Sequence, residues 1–226
     1  MRIKLLVALT AVFLSGHTFA QCPIPLEKLD VQITMFPLKY EYGYTSHQIQ
    51  TIQQQKSFNL LGLYTAHKQV NIRPYAESVA INNSNSCASV TNLSIIVAIA
   101  PVIYISKEAQ RYKCTQERVI QHELLHHQFE INVALKAKPI VEHFGKKHFY
   151  QSFMAKNQNE IRNHLNIKTH ALIGDIQKYL KDTTKYLHAQ IDTPANYNKE
   201  SEYCSNEENA SISGLLNIQN HMTTLK

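Results

Sequence analysis

Thr115-Gln116-Glu117-Arg118-Val119-Ile120-Gln121-His122-Glu123-Leu124-Leu125-His126 reads as the start of a helix that carries chemistry. Thr115 can cap its first turn and Glu117 puts an acid there. Val119, Ile120, Leu124, Leu125, Phe129, Val133 and Leu135 then recur at helical spacing to about Lys136. On such a helix His122 and His126 leave one face a single turn apart, so both imidazoles can reach one metal ion at about 2.0–2.1 Å. Glu123 points too far aside to join them as a ligand, yet it can hold a water and accept its proton. The competing reading makes both histidines ordinary polar residues on an exposed stripe, in a chain that has 12 His.

The stretches on either side differ in style. From 31 to 106 the pattern predicts short strands. Val31 to Phe36 alternates, Val70-Asn71-Ile72 and Ser78 to Ile81 follow, and Leu93 to Ile105 is an apolar, β-branched run that Pro101 interrupts. Ser46 to Lys56 suits a short helix. Beyond Cys114 the chain turns helical over 115–190: Pro139 either stops the first helix or opens another. From about Gln158 the apolar residues Ile161, Leu165, Leu172, Ile176, Leu180 and Leu187 return every three, four or seven positions. The expected class is α+β, with a strand-rich half packed on the histidine-bearing helix and a helical segment after it. Residues 21–226 suffice for one domain with one core.

The first twenty residues read as an export signal and lie outside that domain. Arg2 and Lys4 precede an apolar stretch from Leu5 to Leu14, and Thr18-Phe19-Ala20 offers small residues where a signal peptidase cuts. That stretch is too short to span a bilayer, and no later one reaches about 18 apolar residues. Gln21 ahead of Cys22 argues against a lipoprotein anchor. All four cysteines fall after the cut, and an oxidising compartment favours two disulfides, with Cys87–Cys114 and Cys22–Cys204 the preferred pairing. Loss of Arg2 and Lys4 would lower the net charge from +6 to +4. Only five of the 23 basic residues are Arg and none forms a block, so nucleic-acid binding is not expected.

His122-Glu123-Leu124-Leu125-His126 is the HExxH pattern of zinc metallopeptidases, and strands followed by an HExxH helix resemble the zincin order. That resemblance implies a Zn2+ cofactor held by His122 and His126, with Glu123 as general base. It also implies a sheet whose edge strand pairs with extended substrate. Leu93 to Ile99 or Val102 to Ile105 could be that edge, although such continuous apolarity favours a buried central strand. Metzincins place glycine three residues after the second histidine, where Phe129 stands here, so that subgroup is excluded.

The third ligand stays open. Glu130 continues the i, i+4, i+8 series, which spans about 12 Å along a straight helix and cannot surround one ion; it can instead support a histidine from behind. His127 points about 100° away from His126. A returning helix, as in gluzincins, would favour Glu142 or His148, with Glu160, His164, His188, Asp192 and Tyr197 as more distant candidates. The chain also resembles a bacterial family of secreted proteins predicted to be zinc proteases. Its members carry an Asp, Thr and His cluster after the long helix: Gln190-Ile191-Asp192 is similar to the start of that cluster, and Tyr197 stands where the histidine would be.

The function these residues imply is an exported, periplasmic or secreted, zinc-dependent endopeptidase acting on proteins or peptides. Two alternatives are a non-catalytic binding protein on a degenerate protease scaffold and a cell-wall amidase that would use the same residues.

Overall fold

The computed structural model describes residues 21–53, 60–193, 195–196 and 204; the export signal expected at 1–20 lies outside them. The strand-rich half consists of β1 (Lys28–Met35), β2 (Lys39–Tyr44), helix α1 (Ser46–Gln53), β3 (Gly62–Asn82) and β4 (Asn85–Ser106). After the four-residue helix α2 (Lys107–Gln110) come α3 (Lys113–Phe149), β5 (Phe153–Ala155) and α4 (Gln158–Ile191). The class is α+β, as expected.

β4 is the axis of the mixed sheet. β3 runs antiparallel along one side of it, from Gly62 opposite Ile105 to Asn82 opposite Asn85. The other side is shared by three short strands: β5 at Ser86–Ala88, β1 at Asn92–Ile99 and β2 at Val102–Ser106. The apolar run from Leu93 to Ile105 is therefore central, and neither of its halves is a substrate-binding edge. Among the described residues no strand pairs with the outer side of β3.

Two sequence-based breaks do not occur. The short strands expected around Ile72 and Val79 are parts of one 21-residue strand, β3. Pro101 does not interrupt β4, because β1 ends opposite Ile99 and β2 begins opposite Val102. The missing N–H thus faces the connection between two strands, where no ladder bond is lost.

Pro139 likewise lies inside α3, a helix of 37 residues. Proline deprives the carbonyl of Leu135 of its helical partner, and Leu135 is 75% exposed, so water can take that place. On the other face Val133, Ala137, Val141 and Phe149 are buried and hold the helix to the sheet. They meet Val31, Leu93, Ile95, Val97 and Ile99 from the strands and Leu172, Ile176 and Leu180 from α4. Each large apolar side chain buried in this layer contributes roughly 1.5–3 kcal/mol. A smaller cluster of Tyr64, Ile103, Ile105, Ala109 and Val119 closes the end at which α3 begins.

Both disulfides form, but with other partners than expected: Cys22–Cys87 and Cys114–Cys204. Cys87 sits at the hairpin end of β4, about 60 Å of extended strand from Ser106, beyond which Cys114 lies. Cys22 precedes β1, whose parallel register starts at Lys28 opposite Asn92. Tracing the chain back from there brings it to Cys87. No helix among the described residues is long and apolar enough to cross a membrane.

Candidate metal centre

Seven residues of α3 and of the segment opening β3, together with two at the end of α4, form one small pocket of about 60 Å³. Its lining is Leu60, Gly62, Leu63, Tyr64, His122, Glu123, His126, His188 and Asp192. His122 and His126 are 6% and 4% exposed, which removes the exposed-stripe reading. Asp192 is the C-cap of α4, its amide bonded to the His188 carbonyl.

Three ligand atoms converge. Asp192 Oδ1 lies 3.2 Å from His122 Nε2 and 3.1 Å from His126 Nε2, and the two Nε2 atoms are 3.2 Å apart. Bonds of about 2.0–2.1 Å in a tetrahedral site would set neighbouring donors about 3.3 Å apart. The observed triangle is close to that size, so these residues fit an ion with a fourth position left for water or substrate. His122, His126 and Asp192 form a group that could hold a metal ion.

Glu123 is buried beside this triangle without belonging to it. Burial pushes its carboxyl up to about 7, opposed by the imidazoles of His126 and His122 and by a hydrogen bond from the Tyr64 amide. That amide points away from β4. By strand alternation the main-chain groups of Gly62 face the same way. A Cβ on Gly62 would come within 2.4 Å of Val119 Cγ1 and 2.8 Å of Glu123 Oε1. Only glycine lets the strand approach the helix so closely here.

Behind the histidines, Tyr64 stacks on His126 with ring centroids 6.4 Å apart, and its hydroxyl meets His127 Nδ1 at 3.4 Å. Burial, with the nearby Glu130 charge, raises the phenol pKa, so Tyr64 stays protonated. His188 packs edge-on against His126 at 4.5 Å. Burial and then the His126 charge lower its pKa to about 4, which keeps the ring neutral near pH 7. One turn further along α3, Glu130 pairs with Lys68 Nζ of β3 at 3.1 Å, and the same ammonium donates to Thr184 Oγ1 of α4. Through Lys68, Glu130 thus ties α3 to β3 and α4.

The structure gathers His122, Glu123 and His126 as expected and adds Asp192, which the sequence ranked below Glu142 and His148. Those two are not ligands of this group, because α3 does not turn back. Glu142 is about 24 Å and His148 about 33 Å beyond His126 along the axis, and His148 instead meets Asp175 at 3.0 Å. Glu160 accepts from the Lys156 amide and His164 stacks on Phe153, both far down α4. Tyr197 lies outside the described residues. A signal for Asp192 was present: His188 and Asp192 repeat, at the end of α4, the i, i+4 spacing of His122 and His126. No family model, curated protein or solved structure matches this chain.

Proposed function

We propose that the protein is an exported zinc-dependent peptidase with His122, His126 and Asp192 as ligands and Glu123 as general base. One observation carries this reading: a buried carboxylate that is not a ligand lines the same pocket as the three converging donors. Two imidazoles and one carboxylate suit zinc, and also ferrous iron. The placement of Glu123 favours hydrolysis, which needs a proton acceptor beside the metal. Two disulfides accord with an oxidising compartment.

When bound, the metal would make water more acidic and polarise the scissile carbonyl. Glu123 takes a proton from the attacking water as its oxygen bonds to the carbonyl carbon. It then returns that proton to the departing amine, so that the C–N bond breaks, and transfer of the remaining acid proton leaves a carboxylate and an ammonium. Burial holds the carboxyl of Glu123 above the usual carboxylate range, which suits a group that must both take and give a proton. Extended substrate could lie along β3, whose outward main-chain groups at Gly62 flank the pocket.

Elemental analysis of the purified protein should find about one zinc per chain. Glu123→Gln should keep that zinc and lose at least about a hundredfold in hydrolysis of unstructured protein or peptide libraries. Zinc without cleavage would favour a binding protein on a protease scaffold. Cleavage confined to cell-wall fragments would favour the amidase. Equal activity of Glu123→Gln and wild type would remove Glu123 from the chemistry.

A further inference from the structure

His126 Nδ1 and His188 Nε2 are both buried and have no hydrogen-bond partner among the described residues. They belong to rings that abut, with centroids 4.5 Å apart at an interplanar angle of 62°. Buried polar atoms are rarely left unpaired, and each unmade bond costs about 1–3 kcal/mol. Their chemistry is complementary. If His126 binds a metal through Nε2, its Nδ1 must carry the proton and is a donor. A neutral His188 that carries its proton on Nδ1 offers the matching acceptor, because its buried Nε2 has no other partner. In the neutral ring Nε2 is then a lone pair, able only to accept.

We propose that His188 is a positioning residue: its Nε2 accepts the His126 Nδ1–H, through a small ring rotation or one water, and so holds His126 with Nε2 turned to the metal. This rests on the metal-binding part of the function proposed above, and it assigns His188 no contact with the ion. His188 is absent from the group of donors within 4.8 Å of one another. Metal-bound histidines usually give their second ring N–H to a carboxylate or carbonyl. Here α4 supplies an imidazole for that purpose, one turn before it supplies the ligand Asp192.

The first test needs no metal. Nitrogen-15 NMR of the metal-free protein should show His188 as the Nδ1–H tautomer, with Nε2 unprotonated. A proton on Nε2 would overturn the proposal, since that atom could then donate to an oxyanion but not accept from His126. On loading with zinc, the His126 Nδ1–H should be protected from exchange and, where the bond is direct, show a coupling to His188 Nε2. His188→Leu should weaken zinc binding about 10–100-fold, and His188→Gln, which restores an acceptor, should recover most of that loss. Unchanged affinity in His188→Leu would overturn the assignment. So would a loss as large as that of His126→Ala, which would make His188 a ligand. A wild type that takes up no zinc while His188 shows the expected tautomer would refute the metal reading and leave His188 as a fixed acceptor.

Discussion

Asp192 completes a group that the sequence showed only in part, and the reason lies in how far apart its members are. His122, Glu123 and His126 share one turn and a half of helix, so their common face follows from helical geometry alone. Asp192 lies 66 residues beyond His126, and only the packing of α4 against α3 brings it there. Its carboxylate is 41% exposed, unlike the buried imidazoles, so of the three it is the most open to solvent. Asp192→Asn keeps the shape but removes the charge and weakens one donor. Zinc affinity, measured by competition with a chromophoric chelator, should fall by more than about a hundredfold, the upper end for losing a mere supporting group. Glu142→Gln and His148→Gln, the positions that the sequence favoured, should bind as wild type does. Wild-type affinity in Asp192→Asn, or a large loss in Glu142→Gln, would contradict the ligand set. The i, i+4 pair of His188 and Asp192 is the trace of this grouping that the sequence carries at the end of α4.

Elements were legible wherever period and composition agreed, and misread at proline. The alternation of Val31 to Phe36 and the spacing of Ile161 to Leu187 gave β1 and α4 nearly as they are. Pro101 and Pro139 look like breaks because a missing N–H is costly where a partner waits for it. Neither position has such a partner: one faces the connection between β1 and β2, the other leaves the exposed turn at Leu135 with a carbonyl that water can serve. A break at Pro139 would let a following helix return toward His122 and His126, which is what favoured Glu142 and His148; the unbroken α3 removes that route. Proline inside a helix is still unfavourable in itself, by about 3 kcal/mol against alanine, offset by about 0.4–1 kcal/mol of lost freedom in the unfolded chain. Pro139→Ala should therefore stabilise the fold by roughly 1–3 kcal/mol, seen as a higher melting temperature by calorimetry. Zinc affinity should not change, because the site is about 20 Å away along α3. A lower melting temperature would mean that the proline ring makes packing contacts worth more than the helical bond it forfeits.

At the scale of the molecule, two very long strands and two very long helices meet at one end, and the group of His122, His126 and Asp192 sits at that end. β3 and β4 have 21 and 22 residues, where strands commonly have 5–6. That length defeats guesses of cysteine pairing made along the sequence, because residues near each other in the chain end up at opposite ends of the sheet. The two disulfides fasten those opposite ends. Cys22–Cys87 closes the hairpin end, and Cys114–Cys204 joins the first turn of α3 to a residue twelve positions after Asp192. Chain entropy gives each bridge about 4–5 kcal/mol, from separations of 65 and 90 residues. They should differ in what they do for the site. Cys114 is about two turns ahead of His122 on the same helix, so its bridge fastens Cys204 to the helix that presents the histidines. Cys22→Ser/Cys87→Ser and Cys114→Ser/Cys204→Ser should lose similar stability in urea unfolding of the metal-free proteins. Only the second pair should also bind zinc more weakly, because freeing the segment after Asp192 lets the end of α4 fray and the carboxylate leave the triangle. Zinc affinities that fall equally in both pairs would trace the effect to general loss of stability, and no fall in either would show that the packing of α4 alone holds Asp192 in place.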